Sequence, residues 1–332
     1  LAFFSWQNAK IIWIGFNFLL LLAIPWLVVK LLPDNRPLPI KYQLLVAFSF
    51  YSFQSARVAV WLGQTTLLTF ALMLGVLLTM PRHRLLAGVM LGFALSKYSL
   101  SLPIFLFVIL SGQYWVAIIS LGVQAVGMAL VTAVFHTPIW TQITQYIAIL
   151  LRHRRLPSMH VGYLFPAQLD IIISLIITAL IFGVLIYWYK QMNGRVSFSA
   201  SAQHFAFWQF QIITILCLWS LLVVYHRIYD VSIAVLFLAM LVYGLQQQQW
   251  WLAPYQKKML VFTLFVTIGI LVLPGTVVGR FLSEENSQIW LLFVDRATTL
   301  LIVWMISLSL WLLFKLSFSV KAVSPSQQIN HA

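Results

Sequence analysis

Apolar runs follow one another along almost the whole chain, each bounded by charge, proline or glycine. They predict helical spans near 11–32, 42–58, 62–80, 114–134, 169–189, 206–225, 228–245, 258–274 and 289–314. A span needs ~20 apolar residues to cross ~30 Å of hydrocarbon, and these runs supply them. Two further runs, 85–96 and 100–111, are each too short to cross alone. Pro103, with Ser96, Ser99 and Ser101 close by, marks a broken or re-entrant pair there. The expected fold class is all-α, a polytopic integral membrane protein of about nine full transmembrane helices plus that short pair. Residues 1–332 read as a single transmembrane domain without an internal repeat.

Two stretches carry a different pattern. Ile139–Leu151 alternates apolar and polar residues at helical spacing, which predicts an interfacial helix within an outer loop, 137–168. Leu1–Lys10, with Phe3, Phe4 and Trp6, is expected to lie flat in the same way.

Composition narrows the classes. The chain has 332 residues, 62% hydrophobic and 8% charged, with a mean hydropathy of +0.96, which leaves no room for a separate soluble domain. Net charge is +14, but the basic residues sit in short loops between spans, where topology and lipid headgroups account for them. A nucleic-acid partner is excluded on that ground. The single Cys217 lies in an apolar run, so disulfides are ruled out. The sequence has no glycine-rich phosphate loop, no Cys or His pair at zinc spacing and no paired loop carboxylates, so neither a metal nor a cofactor is expected.

Placing Leu1–Lys10 outside and alternating the spans puts Asp170, Asp230, Glu284, Glu285 and Asp295 on or near the outer face, and only Asp34 inside. The unusual polar groups then gather outside as well. They are Gln64, the Arg152-His153-Arg154-Arg155 run, the His226-Arg227-Ile228-Tyr229-Asp230 turn and Arg280, with Lys97 able to face them. An amine inside an apolar run costs roughly 2.5–3.5 kcal/mol on insertion scales. Snorkelling to the interface is its plain explanation, and a point-charge contact to a phosphate is the functional one. The 226–230 turn has two readings too. In one, Arg227 and Asp230 satisfy each other at the headgroup level. In the other, His226 and Arg227 hold a phosphate while Asp230 fixes a ring tautomer. Gln64, at the start of a span, reads by itself as a hydrogen-bonding helix-interface residue. Arg154 and its neighbours form a basic patch able to attract an anionic carrier lipid. Arg82-His83-Arg84 is an inner topology anchor without chemistry.

Several short motifs together resemble glycosyltransferase family 87. They are Trp61-Leu62-Gly63-Gln64-Thr65-Thr66-Leu67-Leu68, then Arg84-Leu85-Leu86-Ala87-Gly88-Val89-Met90-Leu91-Gly92, then Lys97 followed by Pro103. The likeness extends back over Ala9–Leu22 and forward to the Tyr225–Val235 turn. It implies a C-type glycosyltransferase fold and a metal-independent, inverting hexosyltransferase. Such an enzyme moves a mannose-like sugar from a polyprenyl-phosphate donor to a lipid or glycan acceptor on the non-cytoplasmic face of a bacterial plasma membrane. His226 corresponds by position to the family's phosphate-holding histidine, and under this resemblance Lys97 and Arg227 are expected to join it on the carrier phosphate while Gln64 and Tyr229 orient sugar or acceptor hydroxyls.

The resemblance also implies an acidic general base in a first outer loop, and this chain has no acid before Asp34. Either an N-terminal helix and that loop precede Leu1, which is the favoured expectation, or the chain does not catalyse by that route; Asp230 is a weak substitute base. Two other classes remain open at this point. A lipid-linked-sugar flippase would show polar residues on both faces or repeated broken helices at midplane. A surface-polysaccharide polymerase or ligase would use basic loop residues such as Arg154.

Overall fold

A computed structural model describes residues 4–33, 37–153, 165, 169–193, 202–224, 226, 228–246, 253–272 and 287–322. The apolar runs become helices because a chain in hydrocarbon must satisfy its backbone groups internally. In order they are α1 (Trp6–Lys30), α2 (Ile40–Ser52), α3 (Gln54–Trp61), α4 (Thr66–Thr79), α5 (Arg84–Ala94), α6 (Tyr98–Leu110) and α7 (Tyr114–Phe135). There follow α8 (Ile139–His153), α9 (Asp170–Asn193), α10 (Ala202–Val223), α11 (Val235–Gln246), α12 (Pro254–Val272) and α13 (Ser287–Ala322). Short 3-10 segments at Leu95–Lys97 and Ile228–Ala234 lead into α6 and α11. No strand occurs among the described residues. The protein is all-α and, by length and apolarity, an integral membrane protein.

Seven helical stretches among the described residues are long and apolar enough to cross a membrane, or eight if α3 and α4 count as one bent span. The nine expected spans are redistributed. The run at 42–58 divides at Phe53, whose extended backbone (ψ 127°) stops α2 and whose ring is fully buried beside Phe50. The 206–225 run appears as a shorter apolar helix, Phe207–Val223. Residues Trp6–Lys10 do not lie flat by themselves. Ser5 caps the helix by accepting from Asn8 N–H, and no breaker separates Lys10 from Ile11, so these residues form the opening turns of α1.

The break also lies elsewhere than expected. Arg84–Leu110 is a single span with a 3-10 turn at Leu95–Lys97, and the broken pair is α3 with α4, bent by 116°. Pro103 is tolerated within α6, and the Ser101 hydroxyl donates to the Lys97 carbonyl at 3.2 Å, where the 3-10 turn meets the helix.

Small residues set the packing around this bend. A Cβ on Gly88 would lie 2.6 Å from Ile119 Cβ, and one on Gly92 would overlap Val123, so α5 and α7 approach too closely for any larger side chain. Gly75 likewise receives the Met90 methyl group between α4 and α5. Thr66 and Lys97 consequently stand at matching heights of the α4–α5 hairpin, each about 20 Å from its turn. α10 packs against α6 and α13, and the 228–234 segment packs on α3. α11 is apolar on every side and buried over Val235–Tyr243, which makes it the central helix, whereas α7 is largely exposed.

Candidate functional site

The site begins at a helix stop. Gly63 has φ +61°, and the Gln64 N–H reaches the Ala59 carbonyl while the Gly63 N–H reaches Val60, the paired bonds of a Schellman cap. Trp13 Nε1–H donates to the Gly63 carbonyl at 2.7 Å, and a Cβ at Gly63 would sit 3.1 Å from the Trp13 ring. Only glycine suits both the backbone angle and that neighbour. The chain leaves this stop bent by 116°, and Thr66 opens the next helix with its side chain fully buried.

The bend carries Thr66 to two charged groups. Lys97 donates to Thr66 Oγ1 at 2.5 Å and forms an ion pair with Asp230 Oδ1, while the Thr66 hydroxyl donates to that same oxygen at 3.0 Å. Asp230 Oδ2 accepts from His226 Nδ1 at 3.1 Å. The Lys97 ammonium lies over the Tyr229 ring, 4.7 Å from its centroid. Residues 31 to 164 positions apart thus form one network.

Burial gives these contacts their weight. The Lys97 side chain is 18% exposed and that of Asp230 4%, and His226 and Thr66 are fully buried. A lone ammonium or carboxylate at that depth is costly, and here each offsets the other's desolvation, with the hydroxyl and imidazole adding hydrogen bonds to the pair. Lys97 therefore does not snorkel. It points inward to a carboxylate.

One atom of the network is left over. His226 Nε2 is buried and has no hydrogen-bond partner among the described residues. Its Nδ1 faces a carboxylate, which only accepts, so Nδ1 carries a proton and Nε2 is the ring atom available to a ligand. On the other oxygen of the same carboxylate, the Lys97 ammonium has three donors, of which two are engaged. The arrangement can receive an anion or a polar oxygen.

Four of the residues singled out in the sequence meet here, namely Lys97, His226, Tyr229 and Asp230. Gln64 does not join by its side chain, for which no hydrogen bond occurs among the described residues, and its backbone N–H belongs to the cap. Arg227 and Arg154 lie outside the described residues, as does the Arg227 half of the Arg–Asp pairing. Thr66 is the member that sequence reasoning missed. Its only trace was a hydroxyl placed just after the Gly-Gln stop. α8 stands near the site, with Tyr146 edge-on to Tyr98 at 5.3 Å, one residue beyond Lys97.

Among the described residues no group of three or more His, Cys, Asp or Glu could hold a metal ion. No curated protein and no solved structure matches the chain. The model of glycosyltransferase family 87 matches residues 1–201 and so takes in the Gly63 cap, Thr66 and Lys97, while His226 and Asp230 lie beyond it. That match covers 201 of 332 residues, and the chain belongs to glycosyltransferase family 87.

Proposed function

We propose that this glycosyltransferase takes a mannose-like hexose from a polyprenyl-phosphate donor and passes it to a lipid or glycan acceptor on the non-cytoplasmic face of a bacterial plasma membrane. The observation that carries the reading is the buried Nε2 of His226, without a hydrogen-bond partner among the described residues, on a ring held by the same carboxylate as the Lys97 ammonium. A phosphate answers both groups. The imidazolium form of His226 donates from Nε2 while Nδ1 stays on Asp230, and Lys97 gives its remaining N–H. Hydrogen bonds of this kind to a charged group contribute roughly 1.5–3 kcal/mol each.

In the transfer, the acceptor hydroxyl attacks the anomeric carbon as the bond from that carbon to the phosphate oxygen breaks, and the configuration inverts. The hydroxyl proton goes to a carboxylate acting as general base. The polyprenyl phosphate leaves with one more negative charge, which Lys97 and His226 stabilise, with Arg227 as a further cation. No metal is needed for that stabilisation. Asp230 has both carboxylate oxygens engaged, so it serves as a positioning group for the two cations rather than as the base. The base is assigned to an acidic residue of a first outer loop. Tyr229 shields the ammonium, Gln64 orients hydroxyls, and Arg154 draws the anionic donor toward the site.

The test is transfer in liposomes, with labelled hexosyl polyprenyl phosphates offered to the full-length protein together with a glycolipid acceptor. Labelled acceptor and free polyprenyl phosphate are expected to appear together, and His226→Ala is expected to lower the rate at least about 100-fold, the loss of one or two charged contacts, with unchanged expression. Undiminished transfer by His226→Ala removes that residue from the site. Absence of turnover with every polyprenyl-phosphate sugar overturns the proposed donor class.

A further inference from the structure

An ammonium on a four-carbon stem is a poor point of reference, because it can rotate about its last bond and sweep its three N–H groups through a cone. Lys97 is not free to do so. Two of its N–H groups are taken, one by Thr66 Oγ1 and one by Asp230 Oδ1. A tetrahedral ammonium with two bonds directed has its third direction settled as well.

The Thr66 hydroxyl is oriented by the same geometry. Its single proton goes to Asp230 Oδ1 at 3.0 Å, so a lone pair faces Lys97. Thr66 is fully buried at the first position of α4, the segment that leaves the 116° bend, so its oxygen is held by helix backbone on a close-packed wall. A buried hydroxyl costs free energy unless both of its roles are filled, and here both are. Valine has the same shape and lacks both roles. Without the hydroxyl, the ammonium keeps Asp230 as its one hydrogen-bond acceptor among the contacts described and turns toward that carboxylate.

We propose that Thr66 is a positioning residue, whose hydroxyl fixes the rotation of the Lys97 ammonium so that its third N–H is presented to the phosphate of the donor. This rests on the donor reading given above. Thr66 itself does not touch the reacting atoms. Its effect is on recognition of phosphate as distinct from recognition of the lipid chain.

The experiment measures binding rather than turnover. Farnesyl phosphate and farnesol have the same chain and differ in the phosphate, so the ratio of their dissociation constants isolates that group. Wild-type protein is expected to bind farnesyl phosphate at least about ten-fold more tightly than farnesol, the gain from one charged hydrogen bond. Thr66→Val is expected to lose most of that ratio while its farnesol affinity is unchanged, and Thr66→Ser, which restores the hydroxyl, is expected to keep it. A loss of packing alone would weaken both ligands together. If Thr66→Val elutes as aggregate, Thr66→Ala carries the same comparison with a smaller side chain.

The outcomes separate the two proposals. A wild-type protein that does not discriminate overturns the phosphate reading and this inference with it. A wild type that discriminates, with Thr66→Val equal to it or Thr66→Ser as poor as valine, overturns the role of Thr66 and leaves the donor reading standing.

Discussion

Two turns in this molecule share the dipeptide Gly-Gln. Gly63-Gln64 ends α3 and Gly112-Gln113 ends α6, and both are Schellman caps. In the second, φ at Gly112 is +70°, Gln113 N–H reaches the Val108 carbonyl and Gly112 N–H reaches Ile109. Their local physics is the same, since a left-handed residue returns two N–H groups to orphan carbonyls in the last turn of the helix. Their surroundings are not. A Cβ at Gly112 would meet nothing within 4 Å, whereas one at Gly63 would press on Trp13 at 3.1 Å. The first turn is followed by Thr66 and the Lys97–Asp230 pair, and the second by the plain helix α7. A motif of this kind stops a helix. The two turns differ in what the bend then carries into the core.

The largest expected effect comes from uncoupling the charges that the first turn serves. Lys97→Met leaves the buried carboxylate of Asp230 without its ammonium, and such a loss costs about 3–5 kcal/mol. Transfer is expected to vanish and thermal unfolding to come earlier. Adding Asp230→Asn removes the buried charge that Lys97 balanced, so the double variant is expected to regain most of the thermal stability while transfer stays absent. Recovery of transfer in the double variant would show that the cation serves only the fold.

Next comes the comparison of the two glycines. Alanine in the left-handed region costs about 1–2 kcal/mol at either turn. Gly63→Ala also presses on Trp13 and moves the start of α4, so it is expected to lower both the melting temperature and the transfer rate. Gly112→Ala is expected to lower the melting temperature alone. Equal activity losses from the two would make the first turn no more than a helix stop.

The smallest effects belong to the glutamines. Both lend a backbone N–H to their caps, which alanine retains. Gln64→Ala is expected to raise the acceptor KM about three-fold, the loss of a single neutral hydrogen bond, and Gln113→Ala is expected to leave it unchanged. Equal KM values would confine Gln64 to the cap.

The long, uniformly apolar runs were readable because helix is the form open to them in lipid. Lys97, His226 and Asp230 were readable because ionisable groups at such depth demand partners. The break between α2 and α3 was not, since it falls at Phe53 and no Gly or Pro marks it. The shape of the 85–111 stretch was misread for the converse reason. Its Pro and Ser residues look like a break, yet the Ser101 hydroxyl holds the Lys97 carbonyl and the helix continues. Thr66 stayed hidden because a threonine in an apolar run matches the interior of any membrane helix, and its meaning depends on partners 31 and 164 positions away.

The most direct test of the central claim is a cryo-EM structure of the protein with decaprenyl phosphate bound. Phosphate oxygens are expected about 2.7–2.9 Å from both Lys97 Nζ and His226 Nε2, the spacing of charge-assisted hydrogen bonds, with Asp230 still on His226 Nδ1. A phosphate held elsewhere, with Nε2 still unpartnered, would contradict the account.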